Sequence, residues 1–351
     1  MSSLSISVII PVYNGGTNFH NCLASLGDSL CSPNEVIVVS DGSTDTSWKI
    51  AESFGVRVLR LKKNSGPALA RNVGAKAAKG DILFFIDADV TLHPNTLDLV
   101  RQQFAQSADL AALIGSYDDE PGADNFLSQY KNLFHHYTHQ TSSDVAFTFW
   151  GACGAIRRSV FMAVDGFDES YRKPCVEDIE LGYRLKRSGY NIRLCKDIQV
   201  KHLKRWEPIS LLKAEIFYRA LPWSALLLSE QRFDADLNLN NTNRLSVIGV
   251  FSLLASFVTG CFIPWFWLVT GAIALGLLLL NFSVYQFFYG KRGLLFTLQV
   301  IPWHWLYFFY GGITFICVLI HHTVSRYLRL EEMTSVLGIR HLSRETTNDR
   351  P

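Results

Sequence analysis

From Leu245 to Gly290 the chain has no Asp, Glu, Lys or Arg, and after Lys291-Arg292 the gap resumes from Gly293 to Ser325. In a sequence of 351 residues with 18% charged and 48% hydrophobic residues, the shortage of charge is concentrated in the last third. One helix through the first run would be about 69 Å long, about twice the ~30 Å hydrocarbon core of a bilayer. A transmembrane hairpin turning near Gly260 to Pro264 is therefore expected. The second run, Leu294 to Ile320, fits either one tilted span or a segment re-entrant around Pro302.

Other absences exclude other classes. The seven cysteines are odd in number and irregularly spaced, which argues against a disulfide framework or a zinc site and for a reducing compartment. A net charge of +2 and the lack of a Lys/Arg stripe with interleaved aromatics exclude nucleic acid as a partner. The start of the chain does not read as a secretory leader, because the apolar run Ile6 to Val12 is short and meets Pro11 and Asn14. The polar two-thirds is expected on the cytoplasmic face of the membrane.

That polar part reads as alternating strands and helices. Ser5–Val12, Glu35–Ser40 and Arg57–Leu61 have strand character, and each is followed by a turn and a helix. The fourth strand, in Asp81-Ile-Leu-Phe-Phe-Ile-Asp87-Ala-Asp89, is apolar throughout and ends in two carboxylates. A run of this kind suits a parallel strand covered on both faces. Ligands bind beyond the carboxyl ends of such strands, where Asp87 and Asp89 stand. Two hard oxygen ligands at this spacing can hold a divalent cation and, through it, a diphosphate. The alternative is a pair of ordinary turn or cap residues.

Four segments in order, Val8-Ile-Ile-Pro-Val-Tyr-Asn14, Asp41-Gly-Ser-Thr-Asp45, Gly66-Pro-Ala-Leu-Ala-Arg-Asn72-Val-Gly74 and Asp87-Ala-Asp89, resemble the nucleotide-sugar half of family 2 glycosyltransferases. Gly151 to Arg158, Asp165-Gly-Phe-Asp-Glu169 and Glu177-Asp-Ile-Glu-Leu-Gly-Tyr-Arg184 are similar to the acceptor half. The resemblance covers roughly residues 5–206. It implies an α/β, GT-A fold (Rossmann-like, with a mostly parallel sheet), an interfacial helix and a C-terminal α-helical membrane domain. The expected division is a transferase domain over 1–206, an interfacial amphipathic segment and linker over 207–243, transmembrane helices over 244–328 and a polar tail over 329–351.

The same resemblance assigns roles. Asp41 accepts a hydrogen bond from the nucleobase, against the simpler reading of an Asx-turn. Pro11 and Tyr13 border the base, Arg71 points from its helix toward the nucleotide, and Asp87 touches the ribose. Asp89 coordinates Mg²⁺ or Mn²⁺, which acts as a Lewis acid on the departing diphosphate. Asp178, with Glu177 beside it, is the general base for an inverting attack. The competing reading makes both carboxylates favourable charges at a helix N-terminus. His202-Leu-Lys-Arg205-Trp206 resembles the Gln-x-x-Arg-Trp element of processive polysaccharide synthases, with His for Gln, which weighs against processivity. Arg205 pairs with the diphosphate or Trp206 meets a sugar face in that reading, and His202 is either a third metal ligand or a structural histidine.

Pro208–Ser229 alternates apolar residues with Lys213, Glu215 and Arg219, as an interfacial helix broken by Pro222 would. A polyprenyl phosphate is already ionised at neutral pH and needs no base, so Glu177-Asp178 favours a hydroxyl acceptor. The expected activity is non-processive transfer from a nucleoside-diphosphate sugar, with uridine the more usual base, to a lipid or lipid-linked saccharide in the bilayer. A polyprenyl-phosphate transferase, a polysaccharide synthase and a non-catalytic sugar-nucleotide sensor are the alternatives. Positive charge at Arg326, Arg329, Arg340 and Arg344 conflicts with placing the tail outside the membrane after a third span.

Overall fold

The computed structural model describes residues 4–230 and 240–336. Most of the expected polar tail, Arg340 and Arg344 included, lies outside the described residues, as does part of the linker before the hydrophobic helices.

The first half alternates as the apolar pattern requires. Strand β1 (Ile6–Val12) is followed by α1 (Gly16–Gly27), β2 (Glu35–Asp41) by α2 (Ser47–Ser53), and β3 (Arg57–Leu61) by α3 (Pro67–Ala77). Next come β4 (Ile82–Ile86), β5 (Val90–Leu92), α4 (Thr96–Gln106), β6 (Leu110–Tyr117) and α5 (Phe126–Thr141). The domain is completed by β7 (Val145–Ala146), β8 (Cys153–Arg157), α6 (Arg158–Ala163), α7 (Glu177–Arg187) and β9 (Asn191–His202). The nine strands among the described residues join one sheet, ordered β3-β2-β1-β4-β8-β6-β9-β5 with β7 on β9.

The pairs β3-β2-β1-β4 are parallel, as expected. Beyond β4 the sheet is mixed rather than mostly parallel, because β8 runs antiparallel to both β4 and β6, and β5 antiparallel to β9. Strand order reverses direction between β1 and β4, and this switch opens a crevice at their carboxyl ends. Side-chain alternation divides the core into two layers. Ile82, Phe84 and Ile86 pack with Ile6, Val8 and Ile10 on one face, whereas Leu83 and Phe85 pack with Ile9, Ile37 and Phe149 on the other. Every residue of β4 is buried, which accounts for its unbroken apolar sequence.

After β9 come α8 (Pro208–Lys213), a π-helical segment (Ala214–Ala220) and α9 (Leu221–Glu230). The helix was expected to break at Pro222 and instead widens before it. A proline ring clashes with the carbonyl four residues back, here that of Tyr218, and the wider π turn relieves that clash. Helices α10 (Asn241–Gly260) and α11 (Phe266–Leu280) form the expected hairpin. Helix α12 (Phe282–Val336) contains one non-helical residue, Gly293, and continues as helix through Pro302. Among the described residues two helical stretches, Asn241–Gly260 and Phe282–Ser325, are long and apolar enough to cross a membrane; α11 is shorter.

The two parts touch through α5. Tyr130, Leu133 and Phe134 pack on Val284, Phe288 and Val300 of α12. Just before Gly293, Lys291 pairs with Asp119. Arg292 donates to the Asp119 carbonyl at 3.1 Å and to Gln129 Oε1 at 2.9 Å.

Candidate active site

The carboxyl ends of β1 and β2 are tied together by the turn residues that follow them. Asn14, at φ 53°, accepts the Thr44 amide on Oδ1 at 2.8 Å, and the Ser43 hydroxyl donates to the Val12 carbonyl at 3.2 Å. Asp45 Oδ1 takes the Ser47 amide at 2.9 Å, so this aspartate rather than Ser43 or Thr44 serves the start of α2. Pro11 is buried beside this junction, and Tyr13 stands at its mouth, 51% exposed.

Asp41 is buried and accepts the amides of Ser65 and Gly66, at 2.8 and 2.9 Å, one on each oxygen. Burial raises its pKa, and the two amides oppose the shift. The turn it closes leads into α3 through Gly66, whose φ of 98° favours glycine and whose Cα lies against the backbone of Arg172.

Helix α3 then carries Arg71 under the crevice. Its guanidinium donates to Asp87 Oδ1 at 2.7 Å and to Glu177 Oε1 at 2.8 Å. Arg71 and Glu177 are buried, whereas Asp87 is about one-third exposed and faces the opening. Gly151 makes room for this cation, because a methyl group there would sit 2.8 Å from the guanidinium carbon. The next residue, Asn72, clamps the loop before α7: its side chain accepts the Phe167 amide at 2.9 Å and donates to the Phe167 carbonyl at 2.8 Å.

At the start of α7, Glu177 Oε2 accepts the Cys175 amide at 2.8 Å. Asp178 accepts the amides of Gly151 at 3.1 Å and Ile179 at 2.8 Å. Burial first, and then the neighbouring Glu177 charge, push the Asp178 carboxyl up to about 7, against the opposing effects of the Gly151 amide and Arg71. A carboxyl with that value is poised to take a proton near neutral pH.

The antiparallel pairing of Val90 with His202 brings Asp89 to the end of β9. His202 Nε2 lies 3.8 Å from Asp89 Oδ2, and Lys204 Nζ lies 4.0 Å from the same oxygen. Burial works against ionisation of Asp89, but His202 and Lys204 outweigh it and hold the carboxyl down to about 2. The His202 ring stacks on Tyr117 at 4.3 Å, and Tyr117 meets Trp150 edge-on at 4.8 Å. Asp89 and His202 are a hard oxygen and an imidazole separated by more than a hydrogen bond, a pair that fits a shared cation. Among the described residues no set of three or more metal-ligating side chains gathers. A cation held here would take its remaining ligands from outside the protein.

Arg205 and Trp206 stand apart from this centre. Arg205 pairs with Glu207 at 2.9 Å in an exposed position. Trp206 is buried with Leu127 and Leu211, beneath Lys204, and its indole nitrogen has no hydrogen-bond partner among the described residues. Sequence reasoning did not single out Asn72, Tyr117 or Trp150 as parts of the site. Asn72 was visible inside the Arg-Asn dipeptide, but its partner lies 95 residues away.

The comparisons with known proteins set this fold and its carboxylate-lined crevice among glycosyltransferases. Residues 7–165 match the model of "Glycosyl transferase family 2", so this segment is a family 2 glycosyltransferase domain. It is 36% identical to "Glycosyltransferase GlyG" of Streptococcus pneumoniae serotype 4 over 33% of this chain and 40% of that one. It is 26% identical to "Uncharacterized glycosyltransferase YfnE" of Bacillus subtilis over 61% and 69%. Identity is 36% to "Poly(ribitol-phosphate) beta-N-acetylglucosaminyltransferase TarP" of Staphylococcus aureus, over 33% and 37%. The match to GlyG and to TarP thus spans less than half the length of each. In fold, it resembles S. aureus TarS 1–349 in complex with UDP-GlcNAc at a TM-score of 0.50 and 20% identity, over 65% of this chain and 66% of that one.

Proposed function

We propose that this protein transfers a sugar, with inversion and without processivity, from a nucleoside-diphosphate sugar to a hydroxyl of an acceptor embedded in the membrane. The observation that carries this reading is the Arg71 bridge. One buried guanidinium joins Asp87 of the donor-side motifs to Glu177 of the acceptor-side motifs, 106 residues from Arg71 in the chain. Donor and acceptor carboxylates are thereby fixed at one crevice.

In this reading Pro11, Tyr13 and Asp41 border the nucleobase and Asp87 meets the ribose. Arg71 acts by orienting Asp87, and Glu177 by holding Arg71 and raising the basicity of Asp178. The acceptor oxygen attacks the anomeric carbon as its proton passes to Asp178, and the carbon–oxygen bond to the diphosphate breaks with its electron pair leaving on the diphosphate. Asp89 and His202 are the residues that would hold Mg²⁺ or Mn²⁺, which supplies Lewis-acid stabilisation of the leaving diphosphate when bound. Arg205, at the edge, is available to the same anion. Trp206 anchors the segment that follows β9.

The membrane assignment rests on apolar surface turned outward. Leu268 and Leu295 are 79% and 78% exposed, as suits helices that face lipid rather than a soluble core. Helix α12 is unbroken at Pro302, which supports a third span over a re-entrant segment. The catalytic domain is assigned to the cytoplasmic face, where Lys291-Arg292 also lies.

The test supplies membranes containing the protein with labelled UDP-sugars, UDP-GlcNAc first, with Mn²⁺ or Mg²⁺ and with EDTA. Label entering the organic phase in a form stable to mild acid, lost with EDTA and with Asp178→Asn, is the expected result. Acid-labile lipid label would instead place the new bond on a phosphate and remove Asp178 as base.

A further inference from the structure

The π-helical segment between β9 and the membrane helices carries charges that the proposed chemistry does not use. Glu215 is buried, and its Oε1 faces two cations, Lys131 Nζ of α5 at 2.9 Å and Arg219 at 3.4 Å. Its other oxygen accepts the Tyr310 hydroxyl of α12 at 3.1 Å. Two cations against one anion leave this cluster with one net positive charge. Lys131 is held inside, its side chain 15% exposed, whereas the Arg219 side chain is 46% exposed. The surplus charge therefore presents itself at Arg219.

Its neighbours on both sides fix where that charge stands. Tyr218 lies under the Lys173 ammonium, 5.9 Å from ring to nitrogen, in the loop that Asn72 clamps. Four residues after Arg219, Trp223 donates to the Tyr183 hydroxyl of α7 at 3.1 Å, and Trp223, Leu226 and Leu227 pack on Val176, Ile179 and Tyr183. The segment thus lies against the helix that begins with Glu177-Asp178. Glu215 first, and then Tyr117 and Asp178, lie within electrostatic reach of the Arg219 guanidinium. On its far side the segment reaches α12 through Tyr310. Arg219 thus belongs to a segment packed on one side against α7, which begins with Glu177-Asp178, and on the other against α12, one of the helices assigned to the bilayer.

We infer that Arg219, steered by Glu215, receives a phosphate group of the acceptor, so that the acceptor is a lipid whose reactive hydroxyl is carried on a phosphate-bearing anchor. This rests on the lipid-directed reading above and narrows it: neutral diacylglycerols and free isoprenoid alcohols offer nothing to this cation. A partly exposed guanidinium that shares its one carboxylate with a buried lysine is suited to phosphate oxygens, which it can bind with two parallel hydrogen bonds. Here the phosphate is a handle and the hydroxyl the nucleophile, so Asp178 keeps its role.

The test measures binding without turnover. The full-length protein, in nanodiscs of phosphatidylcholine, is titrated with farnesyl phosphate and with farnesol, as the parent and as Arg219→Gln and Arg219→Lys. The parent should bind the phosphate about 10-fold or more tighter than the alcohol, as a charge-assisted hydrogen bond implies. Arg219→Gln should bring the two within about 2-fold, and Arg219→Lys should keep a preference of about 3-fold or more, with elution profiles matching the parent. Equal binding of both probes by the parent, or an undiminished preference in Arg219→Gln, overturns the inference. A loss in Arg219→Gln confined to UDP binding does so as well, since the phosphate contacted would then be the donor's. Neither titration requires sugar transfer, so failure of the activity assay removes the proposed reaction and leaves this result readable.

Discussion

Asp87, Arg71 and Glu177 form one ion cluster beside the crevice, and Lys131, Glu215 and Arg219 form another, each with a buried centre and one exposed member. The first has one cation between two carboxylates, with Asp178 next to it; the second has one carboxylate between two cations. The first is built on elements of the sheet domain, α3, β4 and α7, whose motifs lie far apart in sequence. The second spans α5 and the π segment and is tied to α12 through Tyr310. A surplus of negative charge raises the basicity of Asp178 and draws cations, and a surplus of positive charge draws anions. In the proposed reaction, this difference in sign divides the labour of one site between proton removal and recognition of a charged acceptor.

The sharpest test of the acidic cluster is Asp178→Asn. Transfer to acceptor should fall by about 10²–10⁴-fold with donor binding retained, which is the usual weight of a general base. In the parent, the acceptor-dependent rate should rise with pH through about 7 and then level off as Asp178 loses its proton. The stability effect has the opposite sign. The folded carboxyl binds its proton more tightly than an unfolded aspartate does, so its contribution is greatest in acid and is lost as pH rises toward 7. Asp178→Asn should therefore stabilise the fold above that pH, by on the order of 1–2 kcal/mol for a partly exposed group, measured by urea unfolding at pH 6 and 8. An unchanged midpoint at pH 8 together with an unchanged rate would make Asp178 an ordinary helix-start residue.

Next in size is Arg71→Met. It leaves Glu177 buried without its cation and should cost about 3–5 kcal/mol, as removal of one partner of a buried pair does. The corresponding change in the basic cluster, Glu215→Gln, should cost less, about 1–3 kcal/mol. Gln still accepts hydrogen bonds, Arg219 already reaches solvent, and Lys131, whose pKa burial lowers, can shed its proton, so less charge is stranded. Chemical unfolding of both variants compares them directly. A larger loss for Glu215→Gln would reverse the comparison and make the basic cluster the structural one.

What could be read from the sequence follows the range of each interaction. Strands β1 to β4 and the carboxylates Asp41, Asp87 and Asp89 were legible because each stands at or beside the end of an apolar run, and parallel βα units fix where such ends lie. The start of α7 at Glu177 and the hairpin near Gly260 were legible for similar local reasons. The mixed half of the sheet was not, since the antiparallel insertion of β8 between β4 and β6 leaves no periodic trace. Arg71 was picked out, but its pairing with Glu177 is a tertiary fact. The π winding at Ala214–Ala220 shifts hydrogen bonds without changing residue pattern. Arg219 therefore read as one more polar position on an amphipathic helix.

The smallest expected effect concerns how the two clusters are held in register. Lys291 pairs with Asp119 and Arg292 with Gln129 just before the break in α12 at Gly293, so this contact joins the sheet domain to the apolar helices. Both members of the Lys291 pair are more than one-third exposed, and such pairs contribute about 0–1 kcal/mol. Lys291→Ala should therefore leave the unfolding midpoint nearly unchanged. Its consequence, if the basic cluster handles a membrane acceptor, belongs to acceptor use: the apparent KM for lipid acceptor should rise by about 2–5-fold at constant donor KM, an amount a weak ion pair can supply. The effect should shrink as salt is raised, because screening already weakens the pair in the parent. A rise in donor KM instead would mean that the latch sets the donor crevice, and that the two clusters answer to one substrate rather than two.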